Sequence, residues 1–346
     1  VLAELKQKYF ETRHQQTIIL GLQSGLIVSL LGLIHSVFHL QNLNILMALI
    51  GALVIGLLQT IALRGSLNRR LRYTFASSII VGIAFFLGSY LGHSYWLTSL
   101  GLIILIPLVA LSSGSDHMLA SIFLFSADLF IVGSGMPGNL SEAIWYGVFF
   151  AIGGLLTWLS VYLWYRKFPL TNDTVAIPGA LSFERLFGGY QKHVRFALLL
   201  TLAVLIGNTI SYLFKLPQGY WVPMTAMLLL KSDLDLSRKK IGHRLYGTLL
   251  GSVLAFVVIM LVSSKIVLSL LMFPLMFLMV IALAKHYGAY TFFLTIAVTV
   301  MMNLIEPDGY LITEHRVVDT VLGVAAVVII IWIMKVKFAL NKWLQE

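Results

Sequence analysis

The chain has 346 residues, of which 59% are hydrophobic and only 11% charged, with a mean hydropathy of +0.92. So few charges cannot coat a water-exposed surface, which excludes a soluble globular domain and leaves an integral membrane protein. Cysteine is absent, which excludes disulfide and thiol chemistry, and the formal net charge is +10.

Segments of alternating polarity are missing, which argues against a β-barrel. Runs such as AAVVIIIWIM read as helices, because only a helix satisfies its own backbone groups within one segment in hydrocarbon. The opening VLAELKQKYFETRHQQ, residues 1–16, is too charged for the apolar core of a signal peptide. It reads as a short amphipathic segment on the cytoplasmic membrane surface. Six apolar spans follow at 17–38, 43–63, 74–92, 95–112, 117–136 and 142–165. The third presents small residues at Thr74, Ser77, Ser78 and Gly82. The fourth contains Pro107, and the fifth carries Asp128 within LFSADLFIV.

Residues 166–192, with two prolines and a Gly-Gly pair, read as a cytoplasmic linker too short for a folded domain. ALSFERLF within it reads as a surface helix. Six more spans lie at 193–214, 219–231, 243–262, 266–284, 288–305 and 317–336, with a cytoplasmic tail at 339–346. The span from Gly219 to Lys231 has only about a dozen apolar residues where about 17–25 are needed to cross. It reads as a short, tilted or partly buried helix that Pro223 is able to break.

With the N-terminus in the cytoplasm and loops alternating, 21 of the 24 Lys and Arg residues fall on the cytoplasmic side, leaving Lys215, Lys265 and Arg316 outside. That is a positive-inside pattern. The basic charge is then topology plus attraction to anionic lipid, and no nucleic acid is needed. The chain also repeats itself. RLRYTFASS from Arg70 sets against RLYGTLLGS from Arg244, and the fourth span of each half holds a proline, Pro107 and Pro274. The expected architecture is an all-α integral membrane protein of about twelve transmembrane helices. These form two parallel six-helix repeats, 17–165 and 193–338, with both termini cytoplasmic in a cell inner (plasma) membrane.

From Tyr220 the order is Tyr220-Trp221, Pro223, Thr225, a basic run, Arg244, Gly247-Thr248 and Gly251. This stretch of about 36 residues resembles the fusaric acid resistance protein-like family, which includes aromatic carboxylic acid exporters and is similar to the aluminium-activated malate transporters of plants. The resemblance implies movement of organic anions across a membrane; Tyr220, Trp221, Pro223, Thr225 and the paired Thr74 and Thr248 are the candidate pathway residues. The first half departs from the pattern: LMALIG stands where YWVPMT would recur, and RLRYT lacks the glycine before threonine.

Each of these residues has a plainer reading beside the functional one. Tyr220 and Trp221 fit an interfacial aromatic belt as well as a substrate contact. The small residues after Arg70 and Arg244 fit close helix packing as well as a pore lining. Arg70, Arg244 and Arg195 either reach lipid headgroups or form a basic inner mouth whose guanidinium forks bind carboxylate. Asp128, costly at membrane depth, either carries a proton or balances a neighbour. Asp319, three residues after Arg316, fits a salt bridge on a helix face. The histidines are too scattered for a metal site, and no motif calls for a cofactor or an enzyme. The function expected is passage of organic anions, aromatic or small carboxylates, out of the cell. With a negative interior, each monovalent anion leaving gains about 2.3 kcal/mol per 100 mV. A proton-coupled exporter using Asp128 and a non-transporting, lipid-handling scaffold are the alternatives. Anionic lipid at the cytoplasmic face is the expected partner, and a homo-oligomer is left open.

Overall fold

A computed structural model describes residues 2–38, 43–61, 67–112, 117–167, 190–304 and 309–343. The described residues form helices and no strands. In chain order these are α1 (Leu2–Val37), α2 (Leu43–Ile61), α3 (Leu67–Leu91), α4 (Tyr95–Ser112), α5 (His117–Ser134) and α6 (Leu140–Lys167). After the linker come α7 (Tyr190–Leu213), α8 (Trp221–Leu229), α9 (Leu234–Leu261), α10 (Lys265–Lys285), α11 (Tyr287–Asn303) and α12 (Gly309–Trp343). Eight of them hold a stretch long and apolar enough to cross a membrane: α1, α3, α4, α6, α7, α9, α10 and α12. The apolar parts of α2, α5 and α11 are shorter, and α8 has nine residues. The protein is thus an all-helical membrane protein.

Backbone approach at small residues sets the packing. In lipid there is no hydrophobic gain between helices, so close contact and interhelical hydrogen bonds decide which ones associate. Gly51 of α2 lies against the Phe150 carbonyl of α6, and Gly153 of α6 against that of Ala48. Thr157 Oγ1 donates to the Ala52 carbonyl at 3.2 Å across the same seam. Gly88 and Gly133 bring α3 onto α5, and Gly82 and Gly147 bring α3 onto α6. In the second half, Gly247 and Gly251 bring α9 onto α11, and Gly323 brings α12 onto Thr225 and Val222 of α8. The small face after Arg244 is therefore a packing face. The halves also exchange a helix contact. α1 lies along α10, where Ser29 Oγ donates to the Ser269 carbonyl at 2.9 Å. α7 lies along α4, where Tyr95 and Thr209 share a hydroxyl hydrogen bond of 2.8 Å.

Several sequence expectations change. Residues 1–16 are not separate from the first span, since α1 runs unbroken from Leu2. The basic run after Lys231 is not a loop. Asp233 caps α9, accepting from the backbone N–H groups of Asp235 and Leu236, so Arg238, Lys239 and Lys240 sit in its first turns. Pro223 does not break α8, because it is the third residue of that helix. A first-turn N–H has no intrahelical partner to lose. Likewise α12 continues past 338 to Trp343. ALSFERLF and most of the 166–192 linker lie outside the described residues, as do Arg64 and His39. His35 is buried, with its Nε2 3.2 Å from the Leu304 carbonyl.

Candidate anion site

The charged groups of the second half point inward. Arg244 and Arg316 are buried, at 1% and 2% exposure, and rank with Arg70 among the largest fully buried side chains. In α9 the 3.6-residue period that turns Gly247 and Gly251 toward α11 also turns Arg244 away from lipid. Nε and Nη1 of Arg244 have no hydrogen-bond partner among the described residues. The same holds for all three guanidinium nitrogens of Arg316.

Arg316 is the residue that sequence reasoning misplaced. It belongs neither to an outer loop nor to a salt bridge with Asp319: it lies within α12, and its guanidinium nitrogens and Asp319 Oδ2 are buried without hydrogen-bond partners among the described residues. The guanidinium carbon of Arg316 instead stands 3.5 Å from the ring centroid of Trp221. Tyr220 lies beside that ring at 5.1 Å, itself held against Gly135, the residue after α5. A cation over an indole face is favourable by about 0.5–2 kcal/mol, the more so when desolvated. Tyr220 and Trp221 are therefore a platform for Arg316, both nine-tenths buried, and not a free interfacial belt.

The sequence held a signal for this. HRLYGTLLG at 243–251 recurs as HRVVDTVLG at 315–323, with His, Arg, Thr, Leu and Gly in register. Along α8 and α12, Trp221 meets Arg316 and Thr225 meets Gly323, so those helices are parallel.

Around the arginines the field is mixed. Asp128 of α5 has Arg244 and Lys231 as its electrostatic neighbours, which places a first-half carboxylate against second-half bases. It is buried, and its Oδ1 is unpartnered. Arg316 in turn feels Arg244, Tyr220, Asp319 and Tyr290, and Tyr287 feels Arg244. Lys231 lies in the turn between α8 and α9. Its charged neighbours are Lys240 and Asp128. Thr225 Oγ1, Thr248 Oγ1, Ser252 Oγ and Trp221 Nε1 complete a set of buried polar atoms without partners among the described residues. Chemically this is a buried site rich in N–H and O–H donors, with two cations close enough to repel, so an entering anion relieves both.

The other expected site residues stand elsewhere. Arg70 bonds Gln16 Oε1 at 3.4 Å and lies 4.8 Å from the Tyr165 ring centroid, near the end of α6. Thr74 Oγ1 donates to the Arg70 carbonyl at 2.9 Å within α3. Arg195 is exposed. No group of three metal-ligating side chains occurs among the described residues.

Comparison with known proteins falls on the same region. Three relatives align with under half of the chain. The uncharacterized protein slr1298 of Synechocystis sp. is 30% identical over 136 residues, 38% of this chain and 18% of its own length. Inner membrane protein YccS of Escherichia coli is 28% identical over 158 residues, 44% and 22%. The uncharacterized protein YhfK of Escherichia coli is 27% identical over 159 residues, 46% and 21%. The chain thus spans about a fifth of the length of these relatives. No solved structure matches. The family model described as fusaric acid resistance protein-like matches residues 202–330, which include Tyr220, Trp221, Arg244 and Arg316 but not Asp128. The stretch first picked out at Tyr220–Ala255 therefore lies in a fusaric acid resistance protein-like region, and that region builds the arginine site.

Proposed function

We propose that the protein is a conduit for organic anions, small or aromatic carboxylates, from the cytoplasm across the inner membrane. The carrying observation is the pair Arg244 and Arg316, buried together with donors unmet. Leaving a buried charge unpaired costs several kcal/mol, a cost that a transient carboxylate offsets at both stations. Selectivity then rests on the guanidinium forks. An aromatic ring would not stack on Trp221, whose face Arg316 covers.

The reading includes twelve membrane-crossing helices in two parallel repeats. Its support is the recurrence of helix pairings: α2 on α6, α3 on α5 and α6, and α4 on α5 in the first half. In the second half α8 packs on α12, α9 on α11 and α12, and α10 on α11. In this arrangement both termini and the 166–192 linker are cytoplasmic. Because native cysteine is absent, single cysteines at Asn172 and Lys342 should resist an impermeant thiol reagent in intact cells and label after permeabilisation. Labelling of either from outside would invert the orientation.

A second reading, proton coupling, is favoured by the placement of Asp128 beside Arg244 and Lys231. Under it, Asp128→Asn keeps voltage-driven flux and loses flux driven by a pH gradient. Liposomes assayed at fixed voltage with and without the gradient decide the matter. Wild-type flux indifferent to the gradient leaves Asp128 as a structural counter-charge.

A further inference from the structure

On the first half, far in sequence from the arginine site, α3 and α6 enclose a groove of about 470 Å³ lined by Asn68, Leu71, Arg72, Phe75, Trp158 and Tyr162. The two helices run antiparallel here, since Leu71 and Phe75 meet Trp158 while Gly82 meets Gly147. The groove therefore sits where α3 begins and α6 ends. Its walls are aromatic and held in place. Trp158 Nε1 donates to the Leu71 carbonyl at 2.9 Å, Phe75 packs edge-on to the indole at 5.1 Å, and Tyr162 stacks on it at 5.3 Å. It opens on the apolar exterior. Phe75 and Tyr162 are exposed, and Ile79 and Ile83 continue the exposed stripe along α3 at helical spacing.

One end of the groove is strongly basic. Arg70 and Arg72, two residues apart, point to different places: Arg70 is buried against Tyr165, while Arg72 is exposed at the groove rim. Arg72 Nε donates to the Asn68 carbonyl at 3.4 Å, within its own helix, which leaves its two terminal nitrogens for another partner. Arg166 and Lys167 close α6 at the same end. α3 holds no acid, and the one acid of α6, Glu142, is at the opposite end.

We infer that the α3–α6 groove is a binding site for one anionic glycerophospholipid, its phosphate on Arg72 and an acyl chain laid against Trp158, Phe75 and the Ile79–Ile83 stripe. The two parts of the site match the two parts of such a lipid. A guanidinium fork suits a phosphate, and an aromatic-walled furrow on the membrane exterior suits a chain. A free phosphate would use only the rim, and a zwitterionic lipid would bring its own cation to a cluster of arginines. The site stands apart from the anion pathway and holds whichever leaflet that end of α3 occupies.

The test uses the whole purified protein in detergent, with phosphatidylglycerol, phosphatidylcholine or glycerol 3-phosphate added, and lipid retention read by native mass spectrometry. Phosphatidylglycerol should be retained at about one molecule per chain, phosphatidylcholine should wash out, and glycerol 3-phosphate should not compete. Arg72→Gln should weaken retention about tenfold, the lower end of a lost charge-assisted contact. Phe75→Trp, which fills the groove without changing charge, should weaken it too, whereas Arg166→Gln should leave it within twofold. Equal losses for Arg72→Gln and Arg166→Gln would reduce the effect to diffuse surface charge and overturn the site. Retention of phosphatidylcholine, or displacement by glycerol 3-phosphate alone, would do the same. Arg72 and Arg166 are exposed, so their variants fold.

Discussion

Liposomes carrying Arg316→Gln should pass a small carboxylate about ten- to a hundredfold more slowly than wild type at the same voltage, the equivalent of roughly 1.5–3 kcal/mol for one charge-assisted contact. Arg244→Gln should behave alike. Both residues are buried with donors unmet, and Arg244 raises the cost of the charge on Arg316. Lys239→Gln removes the same charge from the exposed first turns of α9 and should change flux less than twofold. Arg316→Lys is the sharper variant. It keeps the charge but loses the planar fork and much of its fit over Trp221, so it should recover only part of the activity. Arg70→Gln reports on the first half: a loss as large as that of Arg244→Gln means a second route, and a mild one leaves Arg70 as a packing residue on Tyr165. Equal, mild effects at Arg244, Arg316 and Lys239 would sink the anion-site reading.

The largest stability effect is expected at a glycine. A Cβ on Gly247 would collide with Thr291 Oγ1 and lie 2.7 Å from the Gly288 carbonyl oxygen. Thr291 cannot readily turn aside, because its hydroxyl already bonds the Gly288 carbonyl at 2.8 Å and the His243 carbonyl at 3.1 Å. Gly247→Ala should therefore push α9 off α11 and destabilise the protein by about 1–3 kcal/mol, the usual cost of overpacking. Gly242→Ala, five residues earlier in the same helix, meets nothing within 4 Å. It should be neutral or stabilising by up to about 1 kcal/mol through helix propensity. Thermal unfolding in detergent separates the two. Equal midpoints would mean that the seam is loose and that Arg244 is not held by it. Because Arg244 is carried on the same helix, Gly247→Ala should also lower anion flux, whereas Gly242→Ala should not.

Much of the molecule is legible in the sequence. Hydropathy alone gives membrane helices, because an apolar segment must bury its backbone polarity in a helix wherever it packs. Their approximate positions, the prolines inside α4 and α10 and the shortness of α8 all followed from local composition. The likeness of the Tyr220–Ala255 stretch to the fusaric acid resistance protein-like region was likewise legible in residue order, a property of the chain and not of its packing. Helix ends were read less well. The charged run at Arg238–Lys240 looks like a loop to a hydropathy scale, yet the Asp233 cap starts a helix there. Backbone capping is indifferent to whether the next turns are polar.

The site itself was decided by tertiary structure. Composition assigns Arg316 to an outer loop, because a lone base near the end of an apolar run usually faces water or headgroups. Only the parallel packing of α8 against α12, through Gly323 on Thr225, brings that guanidinium over Trp221. Asp128 and Arg244 are more than a hundred residues apart, and no local pattern pairs them. They become neighbours because α5 of the first half packs on α8 of the second. Periodicity tells which residues share a helix face, but it carries no information on which helix that face will meet. Sequence by itself therefore determined that this chain is a helical membrane protein with a fusaric acid resistance protein-like region. The identity of the buried charges that meet one another was decided by small-residue contacts between helices, since in lipid close packing, and not hydrophobicity, chooses the partners.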